Sequence, residues 1–201
     1  PEHLELRQAF LLTNSAWISI SLFGSLPFLF SNLNLNFIDA FFESTSGITT
    51  TGSTIIPNLE QVSYGILLWR ALLQWLGGIG IIVMAVAILP MLSIGGMQLF
   101  KTESYETPDK IIPRAAIFAS GISIVYIVLT STWAFMLWLA GMPIFDSITH
   151  AMTTLATGGY STKSESLGAF NSVNIEMIIV VGMIVGSLPF IHYLSCLLYT
   201  S

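Results

Sequence analysis

Charge is what this sequence has least of. Lys, Arg, Asp and Glu together make up 8% of its 201 residues, against roughly 25% in a soluble domain. The stretches 9–30, 71–92 and 115–142 contain none of the four. With 54% hydrophobic residues and a mean hydropathy of +0.80, this scarcity excludes a soluble globular domain. The net charge of −5 is carried by loops and helix ends and says little about partners, and the lack of a basic, aromatic-interleaved patch excludes nucleic-acid binding. Cysteine is nearly missing too. Cys196 stands alone, so no disulfide framework, CxxC pair or cysteine metal site exists. His150 and His192 have no third ligand at usable spacing. No P-loop, HExxH, strand-borne GxGxxG, or Ser, His and Asp grouping occurs, and the apolar stretches lack the paired Asp residues of an intramembrane protease. An enzyme is thereby disfavoured.

What is present is hydrophobic length. Four stretches, Ala9–Phe30, Ala71–Leu92, Ala115–Met142 and Met177 to about Tyr199, each supply the roughly 20 residues that a helix needs to cross a bilayer. The expected fold class is therefore an all-α integral membrane protein. Arg7 precedes the first stretch and Lys101, Lys110 and Arg114 crowd the loop between the second and third, whereas 31–63 has no Lys or Arg. The positive-inside rule then puts the N-terminus and the 101–114 loop in the cytoplasm. The chain opens on Pro1 and ends against an apolar stretch, which reads as a fragment of a longer protein. Its last six residues, 196–201, match the translation of a transposon-end adapter used in sequencing libraries and are expected to be a scar.

Between the apolar stretches a threonine-rich segment occurs twice. Asp39-Ala-Phe-Phe-Glu-Ser-Thr-Ser-Gly-Ile-Thr-Thr-Thr-Gly52 lies over Asp146-Ser-Ile-Thr-His-Ala-Met-Thr-Thr-Leu-Ala-Thr-Gly-Gly159 without a gap, pairing Asp39 with Asp146, Thr50 with Thr157 and Gly52 with Gly159. The chain thus reads as two tandem units of helix, short re-entrant helix, extended loop and helix. The first spans 1–100 with its re-entrant segment at about 37–57; 101–114 is a linker; the second spans 115–195 with its re-entrant segment at about 144–162. Asp39 and Asp146 stand where N-caps of the short helices are expected, facing the positive end of the dipole. At the other end, the helix carbonyls direct partial negative charge into the membrane. Thr50-Thr51-Gly52 and Thr157-Gly158-Gly159 are small enough for successive carbonyls to face one axis, as in a filter for a monovalent cation. Read singly, either segment is an ordinary surface turn. As a matched pair they imply a pathway, because non-helical backbone at membrane depth is tolerated only where protein covers it or it lines a cavity.

The first segment is followed by Leu73-Gln-Trp-Leu-Gly-Gly-Ile-Gly-Ile-Ile-Val83 and Ala87-Ile-Leu-Pro-Met-Leu-Ser-Ile-Gly-Gly-Met-Gln-Leu99. On these residues the chain up to Ser195 resembles the TrkH-type membrane subunit of the Trk/Ktr/HKT potassium transporters. The resemblance implies four K⁺-channel-like units around one axis, of which this chain holds the first two, in the bacterial inner membrane. It implies potassium uptake through a filter with one glycine per loop, here Gly52 and Gly159, and K⁺ sites built by the carbonyls of Thr50, Thr51, Thr157 and Gly158. It also implies no cofactor beyond K⁺ itself, a homodimer, and a cytosolic ring of nucleotide-binding regulatory subunits.

Glu43 has two readings, a carboxylate at the outer mouth that concentrates cations or a structural partner for Arg70, the charge within the second apolar region. The second is preferred, because an unpaired arginine at that depth is costly. His150 takes the Glu43 position in the second unit. Gly77, Gly78 and Gly80 read as a helix-packing surface, and the five tryptophans as interface anchors and packing. A non-conducting membrane scaffold, or a Na⁺-permeable member of the same superfamily, remains the alternative.

Overall fold

The structure, a computed structural model, describes residues 6–92, 111–190 and 193. Among them the regular elements are helical. They are α1 (Leu6–Gly24), α2 (Leu26–Leu29), α3 (Phe37–Ile48), α4 (Tyr64–Leu92), α5 (Ile111–Leu139), α6 (Ile144–Leu155) and α7 (Val173–Ser187), with 3₁₀ turns at Leu59–Gln61 and Ser166–Phe170. The described residues divide into two compact units. The larger consists of the chain up to Gly78 with Leu129–Leu188, and the smaller of residues within Ile79–Val128 and from Pro189 onward. In the larger, Phe28, Ile48, Leu59, Leu67 and Leu73 form the heart of a buried apolar cluster. In the smaller, the buried Tyr126 ring meets Phe190 edge-on at 5.6 Å.

Two of the expected membrane stretches are not single helices. The 9–30 stretch breaks after Gly24, where α1 ends and the one-turn α2 begins with Pro27 in its first turn. Glycine is a poor helix former and proline has no N–H to continue the ladder; the Gly24 carbonyl is taken instead by the Trp69 indole at 2.9 Å. In the 177–199 stretch, α7 stops at Ser187 because Leu188 precedes Pro189 and is held extended, at φ −72° and ψ 145°. Pro90, by contrast, does not end α4. Among the described residues Ala119–Leu139 is long and apolar enough to cross a membrane, and Val173–Ser187 is a shorter apolar helix. Of the 101–114 linker, 111–114 is already helical, in α5, and the rest lies outside the described residues, as does the 196–201 tail.

The repeat is visible in the packing. The short helices α3 and α6 each have 12 residues, and each is met at its C-terminal carbonyl by a glycine of the following long helix. A Cβ at Gly77 would overlap the Ile48 carbonyl oxygen, and one at Gly186 would lie 2.8 Å from that of Leu155. One turn earlier the two units reach the same closeness by opposite choices. Gly47 of α3 makes room for the Leu73 side chain of α4, whereas in the second repeat Gly182 of α7 makes room for the Trp133 indole and the Thr154 side chain.

Gly77→Val is therefore expected to destabilise the protein by about 1–3 kcal/mol through overpacking, read as a lower thermal midpoint of the purified protein in detergent. Gly80→Ala, with no described atom within 4 Å of the new Cβ, is expected to leave the midpoint unchanged or raise it.

Candidate functional site

Each short helix ends in the same backbone device. Thr50 N–H donates to the Gly47 carbonyl at 3.0 Å and Thr51 N–H to that of Ser46 at 3.0 Å; Thr157 N–H donates to Thr154 and Gly158 N–H to Thr153, both at 2.9 Å. This pair of bonds closes a helix through one left-handed residue, a place usually held by glycine. Here it is held both times by threonine, Thr50 at φ 55° and Thr157 at φ 53°. A β-branched residue is a conformational outlier there, costing about 1–2 kcal/mol. Two residues on, Gly52 and Gly159 are left-handed again, at φ 80° and 81°. Thr51, Thr157 and Gly159 are exposed, Thr50 and Gly52 half-buried, and Gly158 buried.

Asp39 and Asp146 are not the N-caps. Each is the third residue of its helix. In α3 the cap is Asn36, whose Oδ1 accepts the Asp39 N–H at 2.8 Å. Asparagine caps as well as aspartate does, and it stands one turn nearer the start. In α6 the cap position falls to Pro143, which offers no side-chain acceptor. Asp146 instead receives the Thr162 hydroxyl at 2.6 Å, tying the helix start to the end of the following loop.

A polar network backs the two loops. Arg70 Nε donates to Glu43 Oε1 at 2.8 Å, with 1% and 0% of the two side chains exposed. Thr54 Oγ1 and Ile55 N–H also donate to the Glu43 carboxylate, at 2.9 and 3.1 Å. Arg70 Nη1 donates to the Ser161 carbonyl in the second loop at 3.0 Å, and the guanidinium lies 4.1 Å above the Tyr160 ring. Tyr160 sends its hydroxyl back to the Glu43 carbonyl at 2.9 Å. Gln74, one turn beyond Arg70 on α4 and wholly buried, donates from Nε2 to the Gly158 carbonyl at 2.9 Å and accepts the Tyr160 N–H on Oε1 at 3.1 Å. Gly158 thus differs from the other five loop residues: the carbonyl that the family resemblance assigns to K⁺ is engaged by Gln74. The Glu43 carboxylate faces this network, not an outer mouth.

His150, in the position of Glu43, keeps the same partner by different chemistry. Its Nε2 is 3.1 Å from the Ser161 hydroxyl, as Glu43 is bonded by Thr54, while its Nδ1 faces the Asp146 carbonyl at 2.8 Å. Nδ1 must then carry the proton, which leaves Nε2 as the acceptor in the neutral ring. The sequence reading missed Gln74 and Tyr160. For Gln74 a signal existed, a polar residue four positions after Arg70 in an apolar stretch; Tyr160 carried none. Among the described residues no cluster of three metal-ligating side chains occurs.

Outside the spans, Glu60 clasps the two loops together, accepting the Ser164 hydroxyl at 2.6 Å and the Ser164 N–H at 2.8 Å. These bonds, chiefly that from the hydroxyl, pull the carboxyl from its ordinary 4.5 down to about 2. A depressed folded-state value means the clasp is fully present above pH 4.5 and is lost as pH falls through about 2. Titration followed by carboxyl NMR is expected to return the low value, and Ser164→Ala to move it back towards 4.5. For the buried pair, Arg70→Met or Glu43→Gln alone is expected to cost about 3–5 kcal/mol, because each leaves its partner's charge or hydrogen bonds uncompensated. Arg70→Met with Glu43→Gln is expected to cost clearly less than the summed single losses in the same thermal assay.

The comparisons follow this geometry. A family model described as "TrkH: Cation transport protein" matches residues 2–201. The chain is 44% identical over 200 residues to the Trk system potassium uptake protein TrkI of Halomonas elongata, covering 98% of this chain and 40% of that protein. It is 45% identical over 185 residues to TrkH of Salmonella typhimurium, covering 90% of this chain and 38% of the relative. The crystal structure of the potassium transporter TrkH from Vibrio parahaemolyticus superposes with a TM-score of 0.80 at 44% identity, over 92% of this chain and 36% of that one. The chain spans about 40% of the length of the curated relatives it matches. On a match along nearly its whole length, it belongs to the TrkH family of membrane cation transporters.

Proposed function

We propose that this chain supplies the first two of four helix, pore-loop, helix units of a potassium uptake protein in the bacterial inner membrane, with α3 and α6 as re-entrant pore helices and the loops after them as half of a selectivity filter. The observation that carries this is the shared backbone of 50–52 and 157–159. Left-handed residues alternate with a residue of the other hand, at φ 55° and 80° in the first loop and 53° and 81° in the second. Such backbone joins no helical or sheet ladder, so its carbonyls, apart from that of Gly158, which Gln74 holds, are available to replace a cation's hydration shell. Ion-facing carbonyls are assigned to Thr50, Thr51, Gly52, Thr157 and Gly159, with Gly158 held behind them by Gln74. A scaffold has no use for two strained threonines at matched positions, since glycine would close either helix more cheaply.

The names of the relatives support K⁺ as the ion; Halomonas elongata TrkI and Salmonella typhimurium TrkH are both potassium uptake proteins. The loops would face outward and the N-terminus and 101–114 loop inward, from the placement of Arg7, Lys101, Lys110 and Arg114. A homodimer on a cytosolic nucleotide-binding ring accompanies this reading through family resemblance.

The test is growth at low K⁺ of an uptake-deficient bacterium expressing the full-length transporter that carries this chain. Gly52→Asp is expected to abolish rescue, since a side chain there would overlap the Gly158 carbonyl at a left-handed position. Gly159→Ser strains the same left-handed backbone, at φ 81°, but its Cβ meets no described atom within 4 Å; with membrane abundance measured alongside, K⁺ uptake per transporter in the membrane should fall at least about tenfold, a loss of about 1.4 kcal/mol. Undiminished uptake by both variants would falsify the filter assignment.

A further inference from the structure

We propose that Gln74 is a positioning residue that aims the Gly159 carbonyl at the ion, and so helps set the preference between K⁺ and Na⁺; this rests on the filter reading of the loops. One carboxamide grips both peptide units that flank Gly159. Nε2 holds the carbonyl of Gly158 at 2.9 Å and Oε1 holds the N–H of Tyr160 at 3.1 Å. A trans peptide is planar, with its C=O and N–H pointing in opposite directions. Fixing the Tyr160 N–H towards Gln74 therefore turns the Gly159 carbonyl away from Gln74. Gly159 itself is exposed, and a Cβ built there meets no described atom within 4 Å.

The grip is rigid because its base is. Gln74 is fully buried, its amide holds two loop groups at once, and Arg70 one turn earlier pins the Ser161 carbonyl, two residues beyond Gly159, at 3.0 Å. A Cβ at Gly158 would overlap the Gln74 amide, so the loop sits directly on it. A carbonyl pinned in this way cannot close in on a smaller ion, which is the step by which a flexible site would come to accept Na⁺.

The device belongs to one junction and is not repeated. Gly77 and Gly186 occupy equivalent places against Ile48 and Leu155, so the residues seven and three places earlier correspond: Arg70 to Ile179 and Gln74 to Met183. Neither Ile179 nor Met183 has a side-chain donor. The brace from the first unit's long helix to the second unit's loop is thus an asymmetric feature laid on a symmetric repeat.

The experiment measures K⁺ and Na⁺ uptake by the full-length transporter bearing Gln74→Met, of similar volume, and Gln74→Glu, of equal length but with no N–H for Gly158 when ionised. Gln74→Met, which loses both bonds, is expected to lower the K⁺ over Na⁺ ratio at least about tenfold; Gln74→Glu, which keeps an acceptor for the Tyr160 N–H and loses only the bond to Gly158, is expected to lower it less. Trp75→Phe, which removes another buried side-chain bond of the same helix, to Thr130, is expected to leave the ratio unchanged. If Gln74→Met does not reach the membrane, Gln74→Leu, which also lacks both the donor and the acceptor, carries the test. Gln74→Met or Gln74→Leu present in the membrane with an unaltered ratio overturns the proposal. Should Gly159→Ser, run alongside, also leave uptake and ratio untouched, the filter reading itself fails; should it cripple uptake while the Gln74 variants retain the ratio, only the clamp fails.

Discussion

A guanidinium with 1% of its side chain exposed, set against a carboxylate with none, constrains everything around it. Removing such charges from water costs several kcal/mol each, and the attraction between them repays this only when the remaining donors and acceptors are also met. Glu43 meets its share with Thr54 and the Ile55 N–H, both in the loop that follows its own helix. Arg70 meets part of its own with Ser161 and the face of Tyr160, both in the other unit's loop. The pair therefore fixes two stretches of extended backbone to one long helix. Without such anchors those stretches have neither a helical nor a sheet ladder to hold them.

The two units solve one geometric problem twice and not identically. Both close their short helix through a left-handed threonine and both let a glycine approach the helix's last carbonyls. Yet Gly47 against Leu73 becomes Thr154 against Gly182, where the Trp133 indole also packs, so the glycine moves to the other side of the contact. Glu43 with Thr54 becomes His150 with Ser161, keeping a hydrogen bond across the loop while dropping the charge. With no arginine at position 179, a carboxylate at 150 would be buried without a cation. Neutral histidine is what the site can accommodate.

Much of this was readable in order along the chain. The tandem repeat, the short helices, the left-handed glycines and the pairing of Glu43 with Arg70 all follow from local pattern and the cost of an unpaired charge. The N-caps were misread because Asn36 competes with Asp39 for the same role one turn apart, and proximity to the helix start decided between them. The break after Gly24 was missed because an apolar run hides it, although Pro27 and the Trp69 indole account for it once seen.

Sequence alone determined the character of the protein: a charge-poor membrane chain in which one threonine- and glycine-rich segment occurs twice. These properties depend on residues within a few positions of each other, and a linear pattern records them. Only the tertiary structure decided what stands behind the loops. Gln74 meets a carbonyl 84 residues away and Tyr160 one 117 residues away. No period encodes contacts of that separation; they arise where the long helix carrying Gln74 lies behind the second loop, so that its side chains reach that loop's backbone.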